Sequence, residues 1–98
     1  MSNDWIAAYS AHLEAGMALA SQGQHALAIQ KYDAAIAVNP RVSVGYVNRG
    51  LSLSELKQFD QALANLNHAI ELQPNLAMAY NNRGAVLRSL GRMEEAAG

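Results

Sequence analysis

Hydrophobic side chains recur along the chain at intervals of three or four residues, the spacing that places them on one face of an α-helix. In the first segment, residues 4–21, Trp5, Tyr9, Leu13 and Met17 follow one another at intervals of four. Four similar segments follow at 24–37, 42–55, 58–71 and 76–89. Strict alternation of apolar and polar residues, the pattern of a half-buried strand, does not occur. The pattern therefore predicts five helices and no strand.

Glycine and proline separate these segments. Gly23 and Gly91 suit the left-handed backbone conformation that commonly follows the last residue of a helix. Pro40 and Pro74 stop the second and fourth helices, because the residue before a proline disfavours the α conformation. Residues 92–97 again have helical character. We therefore expect Gly91 to end the fifth helix and a short sixth helix, a C-terminal stub, to begin after it.

The same residue types return at one fixed interval along the chain, here called the repeat period. The recurring positions are Gly16, Gly50 and Gly84, then Ala28, Ala62 and Ala96, and finally Pro40 and Pro74. A constant period of this length indicates a repeat protein, whose units bury their apolar faces only by stacking. We expect the three glycines to lie where antiparallel helices approach closely, since a bulky side chain there would force the helices apart.

These features together resemble the tetratricopeptide repeat family, whose unit is a 34-residue helix–turn–helix. Residues 79–84 (AYNNRG) and 91–96 (GRMEEA) are especially typical of it. The matching units are 9–42, 43–76 and an incomplete 77–98, within a single domain covering residues 1–98. The resemblance implies an all-α fold in which antiparallel helix pairs stack into a right-handed superhelix, here with five helices plus the C-terminal stub.

The resemblance also implies a function, because members of this family hold other proteins or peptides on a concave surface lined by the first helix of each pair. We expect the ligand groove to follow the side chains beside the three glycines, here named the first-helix stripe. This stripe consists of Leu13, Met17, Val44, Val47, Asn48, Leu51, Met78, Asn81, Asn82 and Ala85. Methionine adapts to ligands of different shape, and asparagine can hydrogen-bond a peptide backbone. The stripe therefore predicts a groove for an apolar or amphipathic segment of a protein or peptide.

Two departures from the family pattern refine this prediction. Some members bind the acidic C-terminal tails of chaperones through a clamp of lysines, an arginine and asparagines. The matching places here hold Leu13, Met17, Asn48, Met78 and Asn82. Only Asn48 fits the clamp, so we expect no binding of such tails. Arg49 and Arg83 stand where the family prefers leucine, and we interpret them as side chains whose stems pack while the guanidinium reaches water.

Composition and charge exclude several classes of protein. Apolar residues make up 51% of the chain and charged residues 15%, which favours a folded domain over disorder. The net charge is −1 and no basic stripe is present, so we expect no nucleic-acid partner. No apolar run approaches the ~20 residues that cross a bilayer, so we expect no membrane contact and a cytoplasmic location. The absence of cysteine excludes a disulfide framework and a thiolate metal site.

Residues that could carry catalysis are scattered. His12, His25 and His68 are isolated and lack a second ligand at helical spacing. Glu94 and Glu95 are adjacent, so they point in different directions on a helix and cannot flank one substrate. No glycine-rich phosphate loop follows a predicted strand. We therefore expect no enzymatic activity, no cofactor and no metal ion.

The third unit stops within its second helix. We expect Val86, Leu87, Leu90 and Met93 to face water on one side, forming a surface through which the chain associates with another copy, because contiguous apolar patches usually have a partner. A second explanation remains open at this point, namely that the chain is the N-terminal fragment of a larger protein, for example one with a glycosyltransferase domain. In that case we expect it to self-associate in this truncated form.

Overall fold

The computed structural model describes the backbone of residues 2–97 and the side chains of residues 2–95. Within that part of the chain it contains five α-helices and no strand. They are α1 (Trp5–Ser21), α2 (His25–Val38), α3 (Ser43–Glu55), α4 (Phe59–Leu72) and α5 (Ala77–Ala97). The predicted all-α fold with five helices is confirmed, and the first four helices begin and end within one residue of the predicted bounds. Met1, Gly98 and the Ala96 side chain lie outside the described residues.

The helices stack in chain order. α1 packs against α2 and α3 against α4, while α2 joins the two pairs by packing against α3, and α5 packs against α4 and touches α3. The resulting stack is elongated, with principal extents of 53 × 29 × 17 Å. Within residues 2–97, no helix has both the length and the apolar character that would be needed to span a bilayer.

The turns within the two pairs share one geometry. Gly23 and Lys57 hold matching places in consecutive units, and both adopt positive φ, at 78° and 63°. Each donates its N–H to the carbonyl three residues earlier, and the next residue donates to the carbonyl five residues before it, all four bonds being 2.9 Å long. This Schellman motif satisfies carbonyls that the helix end leaves free. Lys57 adopts it at a cost of about 1 kcal/mol, since its Cβ crowds a carbonyl in the left-handed conformation.

Gly91 occupies the same place in the third unit, but α5 continues through it to Ala97. The prediction that Gly91 ends the fifth helix is therefore wrong, and the separate sixth helix is not formed. The physical reason is the cost of starting a helix. Residues 92–97 folded back on α5 would form fewer than two turns, whereas continuing α5 adds a backbone hydrogen bond for each residue without a new nucleus.

Close approach at two of the three periodic glycines is confirmed. A Cβ added to Gly16 would lie 2.5 Å from Cε1 of the Tyr32 ring, and one added to Gly50 would lie 3.1 Å from Cγ of Leu66. Both neighbours belong to the second helix of the same pair. Among the described residues, a Cβ on Gly84 would meet only Nη1 of Arg88, at 3.6 Å. Gly84 therefore holds the repeat position of a packing glycine, but no helix within residues 2–97 packs against it.

One cluster of the hydrophobic core lies between α3, α4 and α5. Its buried members are Tyr46, Val47, Leu53, Ala62, Leu66, Ala69, Ala79 and Val86. Two of them contradict predictions from the sequence. Val47, predicted to line the groove, is 0% exposed, and Val86, predicted to face water, is 2% exposed. Val47 does not line a groove: it shares the core with Ala79 and Val86 of α5, which packs against α3 at this point. Val86 does not face water because it lies on the inner side of α5.

Tyrosine hydroxyls tie consecutive units together. Tyr46 donates to the carbonyl of Pro40 at 2.9 Å, and Tyr80 donates to that of Pro74 at 2.8 Å. The buried Tyr9 hydroxyl of α1 accepts the N–H of Gly45 at 2.8 Å, which satisfies a free donor in the first turn of α3. Burial raises the pKa of Tyr9 above its ordinary value, and the bond from Gly45 only partly offsets this effect.

Candidate functional site

The first-helix stripe comes from α1, α3 and α5. Three of its large apolar residues are well exposed: Met17 on α1 at 48%, Leu51 on α3 at 36% and Met78 on α5 at 42%. Met17 and Leu51 are one repeat period apart, so they occupy the same place in consecutive units. Each successive first helix therefore presents an apolar side chain that its own core does not use.

The other members of the first-helix stripe surround these three side chains to different degrees. Asn81 and Ala85 are exposed, while Leu13, Val44, Asn48 and Asn82 are partly buried. Val47 is the one member that the structure removes, since it lies wholly in the core. The remaining surface offers apolar contact with amide groups beside it.

Charge is absent from the first-helix stripe. The seven basic residues of the chain are Lys31, Arg41, Arg49, Lys57, Arg83, Arg88 and Arg92, and none of them belongs to it. No acidic residue belongs to it either. The first-helix stripe therefore offers apolar side chains and amide hydrogen-bonding groups, without a formal charge among its own residues.

A polar network between a first helix and the two second helices beside it was not predicted from the sequence. Nε of Arg49 donates to Oδ1 of Asn65 at 2.7 Å, and its Nη1 donates to Oδ1 of Asp33 at 2.9 Å. The guanidinium lies 5.4 Å from the centroid of the Tyr46 ring. Arg49 thus joins α2, α3 and α4, so its guanidinium is held by protein partners instead of simply reaching water.

Arg83 repeats part of this network one unit later. Its Nη1 donates to Oδ1 of Asn67 at 3.0 Å, and its guanidinium lies 5.1 Å from the Tyr80 ring centroid. Asp33 and Asn67 are one repeat period apart, and each precedes its arginine by the same interval. The period was the signal that could have revealed the pairing. Among residues 2–95, no carboxylate lies within ion-pair distance of Arg83.

The surface predicted for self-association lies on α5. Leu87 and Met93 are exposed, Leu90 is partly buried, and Val86 belongs to the core. Met93 also lines a shallow depression with Ser89 and Arg92 of α5 and with Lys57 and Phe59 at the start of α4. Within the described side chains, no group of three or more histidine and acidic residues is placed to share a metal ion.

Two family models match this chain. One, described as TPR repeat, matches residues 50–91, and the other, described as tetratricopeptide repeat, matches residues 4–41. No curated protein sequence matches it. The match to residues 4–41 spans the α1–α2 pair, and the match to residues 50–91 runs from within α3 through α4 into α5.

Solved structures of the same architecture superpose closely. The Arabidopsis OM64 TPR domain is 31% identical, with a TM-score of 0.84, and the alignment covers 95% of this chain and 77% of that one. The TPR2B domain of yeast Sti1, in complex with pHsp70, is 26% identical, with a TM-score of 0.82 and coverage of 90% and 70%. The second TPR of Spaghetti (RPAP3), bound to the HSP90 peptide SRMEEVD, has a TM-score of 0.80 and coverage of 91% and 82%. At 22% identity, it shows likeness of fold alone.

Proposed function

This chain belongs to the tetratricopeptide repeat family, and on that premise we propose that it is a protein-interaction module. Its ligand is an apolar or amphipathic segment of another protein, held on the first-helix stripe. The observation that carries the proposal is the exposure of Met17, Leu51 and Met78 on three successive first helices. Met17 and Leu51 are in register, and Met78 lies two turns before Ala85, the matching residue of α5. Exposed apolar side chains that the core does not use provide a surface that gains free energy when a ligand covers it.

The chemistry of the first-helix stripe favours a ligand recognised by shape. Methionine is unbranched and polarisable, so Met17 and Met78 can adjust their rotamers to side chains of different outline. Asn81 and Asn82 each offer an amide donor and an amide acceptor, which can pair with the backbone of an extended or helical segment. Such a surface suits a segment with apolar side chains on one side and a polar backbone or polar residues on the other.

Similar structures support peptide binding as the class of function, and the residues of this chain argue for a different kind of peptide. The TPR2B domain of yeast Sti1 was solved as a complex with pHsp70. In this chain the places that match a carboxylate clamp hold Leu13, Met17 and Met78, which cannot neutralise a terminal carboxylate. We expect a peptide ending in two acidic residues and a free carboxylate to show no salt-sensitive affinity.

The test is selection from a phage-displayed library of linear peptides, followed by fluorescence anisotropy with the selected peptides. We expect sequences rich in Leu, Ile, Phe and Met. The double variant Met17→Asp/Leu51→Asp should weaken their binding at least about tenfold, because each aspartate places a charge in an apolar contact. Leu27→Asp is the control, since Leu27 is about as exposed as Met17 but lies on α2.

Two outcomes would contradict the proposal. The double variant could bind the selected peptides as tightly as the original chain, or Leu27→Asp could weaken binding as much as the double variant does. Val47→Asp is unsuitable for this purpose even though the sequence places it in the first-helix stripe. Its side chain is fully buried, so the change would remove binding by unfolding the core.

A further inference from the structure

Two exposed carboxylates border the apolar residues of the first-helix stripe without belonging to it. Glu14 precedes Met17 by three residues on α1, and Glu55 follows Leu51 by four residues on α3. Side chains at these intervals are neighbours on one face of a helix. Met17 and Leu51, which share one repeat position, therefore each have a carboxylate about one helical turn away.

The repeat position of Glu14 faces the same way as the first-helix stripe. Asn48 and Asn82, both members of that stripe, hold this position in the next two units. Asn48 lies on α3, which has helices packed on it from both sides of the stack, and it is still partly exposed. Glu55 lies on the same enclosed helix and is exposed. The access of solvent to these two positions is therefore a property of the stacked units and not of the ends of the stack.

No basic side chain of α1 or α3 balances these carboxylates. α1 contains neither lysine nor arginine, and the one arginine of α3, Arg49, donates to acceptors on the second helices. Among residues 2–95, no ion pair engages Glu14 or Glu55, although Lys57 follows Glu55 by two residues. The side of α1 and α3 that carries the first-helix stripe is therefore negatively charged.

The backbone adds to this charge at Glu55. Glu55 is the last residue of α3, and the last turn of α3 contains no basic residue. The free carbonyl groups at the end of a helix carry the negative end of its dipole, so a carboxylate there lowers the stability of the helix. A cationic group placed beside Glu55 is attracted by the carboxylate and by the helix end together.

We infer, on the premise of the proposed function, that the bound segment is basic as well as apolar. Its apolar side chains cover Met17 and Leu51, and lysine or arginine side chains on either side of them pair with Glu14 and Glu55. The two carboxylates suit such flanks because Glu14 lies about one turn before the repeat position of Met17 and Leu51, and Glu55 about one turn after it. Complementary charge of this kind selects among partners that offer similar apolar surface.

The third first helix has the opposite sign beside the stripe. Arg88 is exposed and follows Ala85 of α5 by three residues. The basic flanks of the ligand therefore belong over α1 and α3, where their charge is attracted, and not over α5, where it is repelled. The two signs distinguish one end of the groove from the other and so give the ligand a preferred placement along it.

The experiment measures fluorescence anisotropy with peptides selected from the linear library on the unaltered chain. We expect lysine or arginine beside their apolar residues. Glu14→Gln and Glu55→Gln should each weaken binding about threefold at low salt, and the double variant about tenfold, because exposed ion pairs are individually weak. These losses should shrink at high salt. Asp60→Asn/Glu71→Gln removes the same charge from α4 and should leave the affinity unchanged.

A second selection reverses the charge. On the variant Glu14→Lys/Glu55→Lys, with its helicity checked by circular dichroism, we expect peptides with aspartate or glutamate beside their apolar residues. The same sign of charge in both selections, or a tenfold loss in the α4 control as well, would overturn the inference.

The neutral variant Met17→Ser/Leu51→Ser measures the apolar contact separately, so that no added charge enters the comparison. Peptides that lose affinity for this variant but bind Glu14→Gln/Glu55→Gln at full strength would support the groove and overturn the basic requirement. Peptides that bind both variants at full strength would overturn the proposed function together with the inference that rests on it.

Discussion

α3 and α5 occupy the same place in consecutive units, yet their surroundings differ. α3 is enclosed by α2, α4 and α5, and a Cβ on its Gly50 would lie 3.2 Å from the carbonyl oxygen of Ala62. α5 is covered on one side by α3 and α4, and the matching Gly84 faces open space apart from the Arg88 side chain. Sequence phase therefore specifies which face of a helix is suited to packing, whereas burial of that face requires a neighbouring helix.

The ends of the first helices differ in the same way. Gly23 and Lys57 adopt positive φ and turn the chain back, while Gly91 stays within α5. The chain turns at Lys57 and continues as a helix through Gly91, so the residue type alone does not decide whether the helix ends there. A second helix long enough to pack against the first stabilises the turn, and a glycine only lowers its cost.

The largest expected difference in stability is between substitutions of two leucines, one buried between α3 and α4 and one exposed on α5. Leu66 is fully buried against Gly50, and Leu87 is exposed beside Gly84. Leu66→Ala should lower the free energy of unfolding by about 3 kcal/mol, because it removes buried methyl groups and leaves a cavity. Leu87→Ala should change it by less than about 0.5 kcal/mol. Urea denaturation measures both, and similar losses would show that Leu87 is packed as closely as Leu66.

The glycines themselves should respond with opposite signs. Gly16→Ala places a Cβ 2.5 Å from the Tyr32 ring, so the ring or the helices must shift, and we expect a loss of about 2 kcal/mol. Gly84→Ala meets only the far end of a flexible arginine side chain and removes a helix-interior glycine, so we expect a gain of about 0.5–1 kcal/mol. Thermal unfolding of the two variants gives the signs, and a loss at Gly84 would contradict the open space beside it.

Much of this fold follows from the sequence because its signals are local and repeated. The apolar spacing and the breaks at Pro40 and Pro74 predict the first four helices within one residue. The helical passage through Gly91 escapes such reasoning, since the glycine suits both a turn and a helix. What decides between them is whether the residues that follow can bury enough surface, and this property belongs to the packed structure, not to the local pattern.

The next comparison concerns the repeat position of Gly23, Lys57 and Gly91, where we expect substitutions to change the free energy of unfolding by about 1 kcal/mol. Gly23→Ala should destabilise the fold by about this amount, because a Cβ is strained at a φ of 78°. Lys57→Gly should stabilise it by slightly less, since the relief of strain exceeds the extra entropy of glycine in the unfolded chain. Gly91→Ala should also stabilise it, because Gly91 is a helix-interior residue. Chemical denaturation of the three variants tests these signs, and a loss in Gly91→Ala would indicate a turn there.

The candidate site was only partly predictable, and the first-helix stripe shows why. Helical phase places both Val47 and Leu51 beside Gly50, but Val47 is buried by α5 and Leu51 remains exposed. The distinction depends on the angle at which one unit packs on the next, which a single-helix pattern does not contain. The partners of Arg49 were missed for a related reason, because they lie on two other helices and become neighbours only through stacking.

The smallest expected change in stability comes from exchanging the acceptor chemistry of the two arginine networks. Arg49 is paired with the carboxylate of Asp33, and Arg83 with the amide of Asn67. Asp33→Asn gives the first network the chemistry of the second and should lower stability by about 0.5 kcal/mol at low salt, because Asp33 is exposed and exposed pairs contribute little. Urea denaturation with and without added salt measures this difference, which should shrink as salt screens the pair.

The reciprocal substitution, Asn67→Asp, makes the second network resemble the first. Glu71 lies four residues after Asn67 and would repel a new carboxylate, so the change is best made in a Glu71→Gln background. There it should raise stability by about 0.5 kcal/mol at low salt, because Arg83 would gain a charged acceptor. The gain should vanish when Arg83→Met is added. A gain that survives both Arg83→Met and high salt would mean that its source is not the arginine pair, and that the two networks differ in more than the charge of one residue.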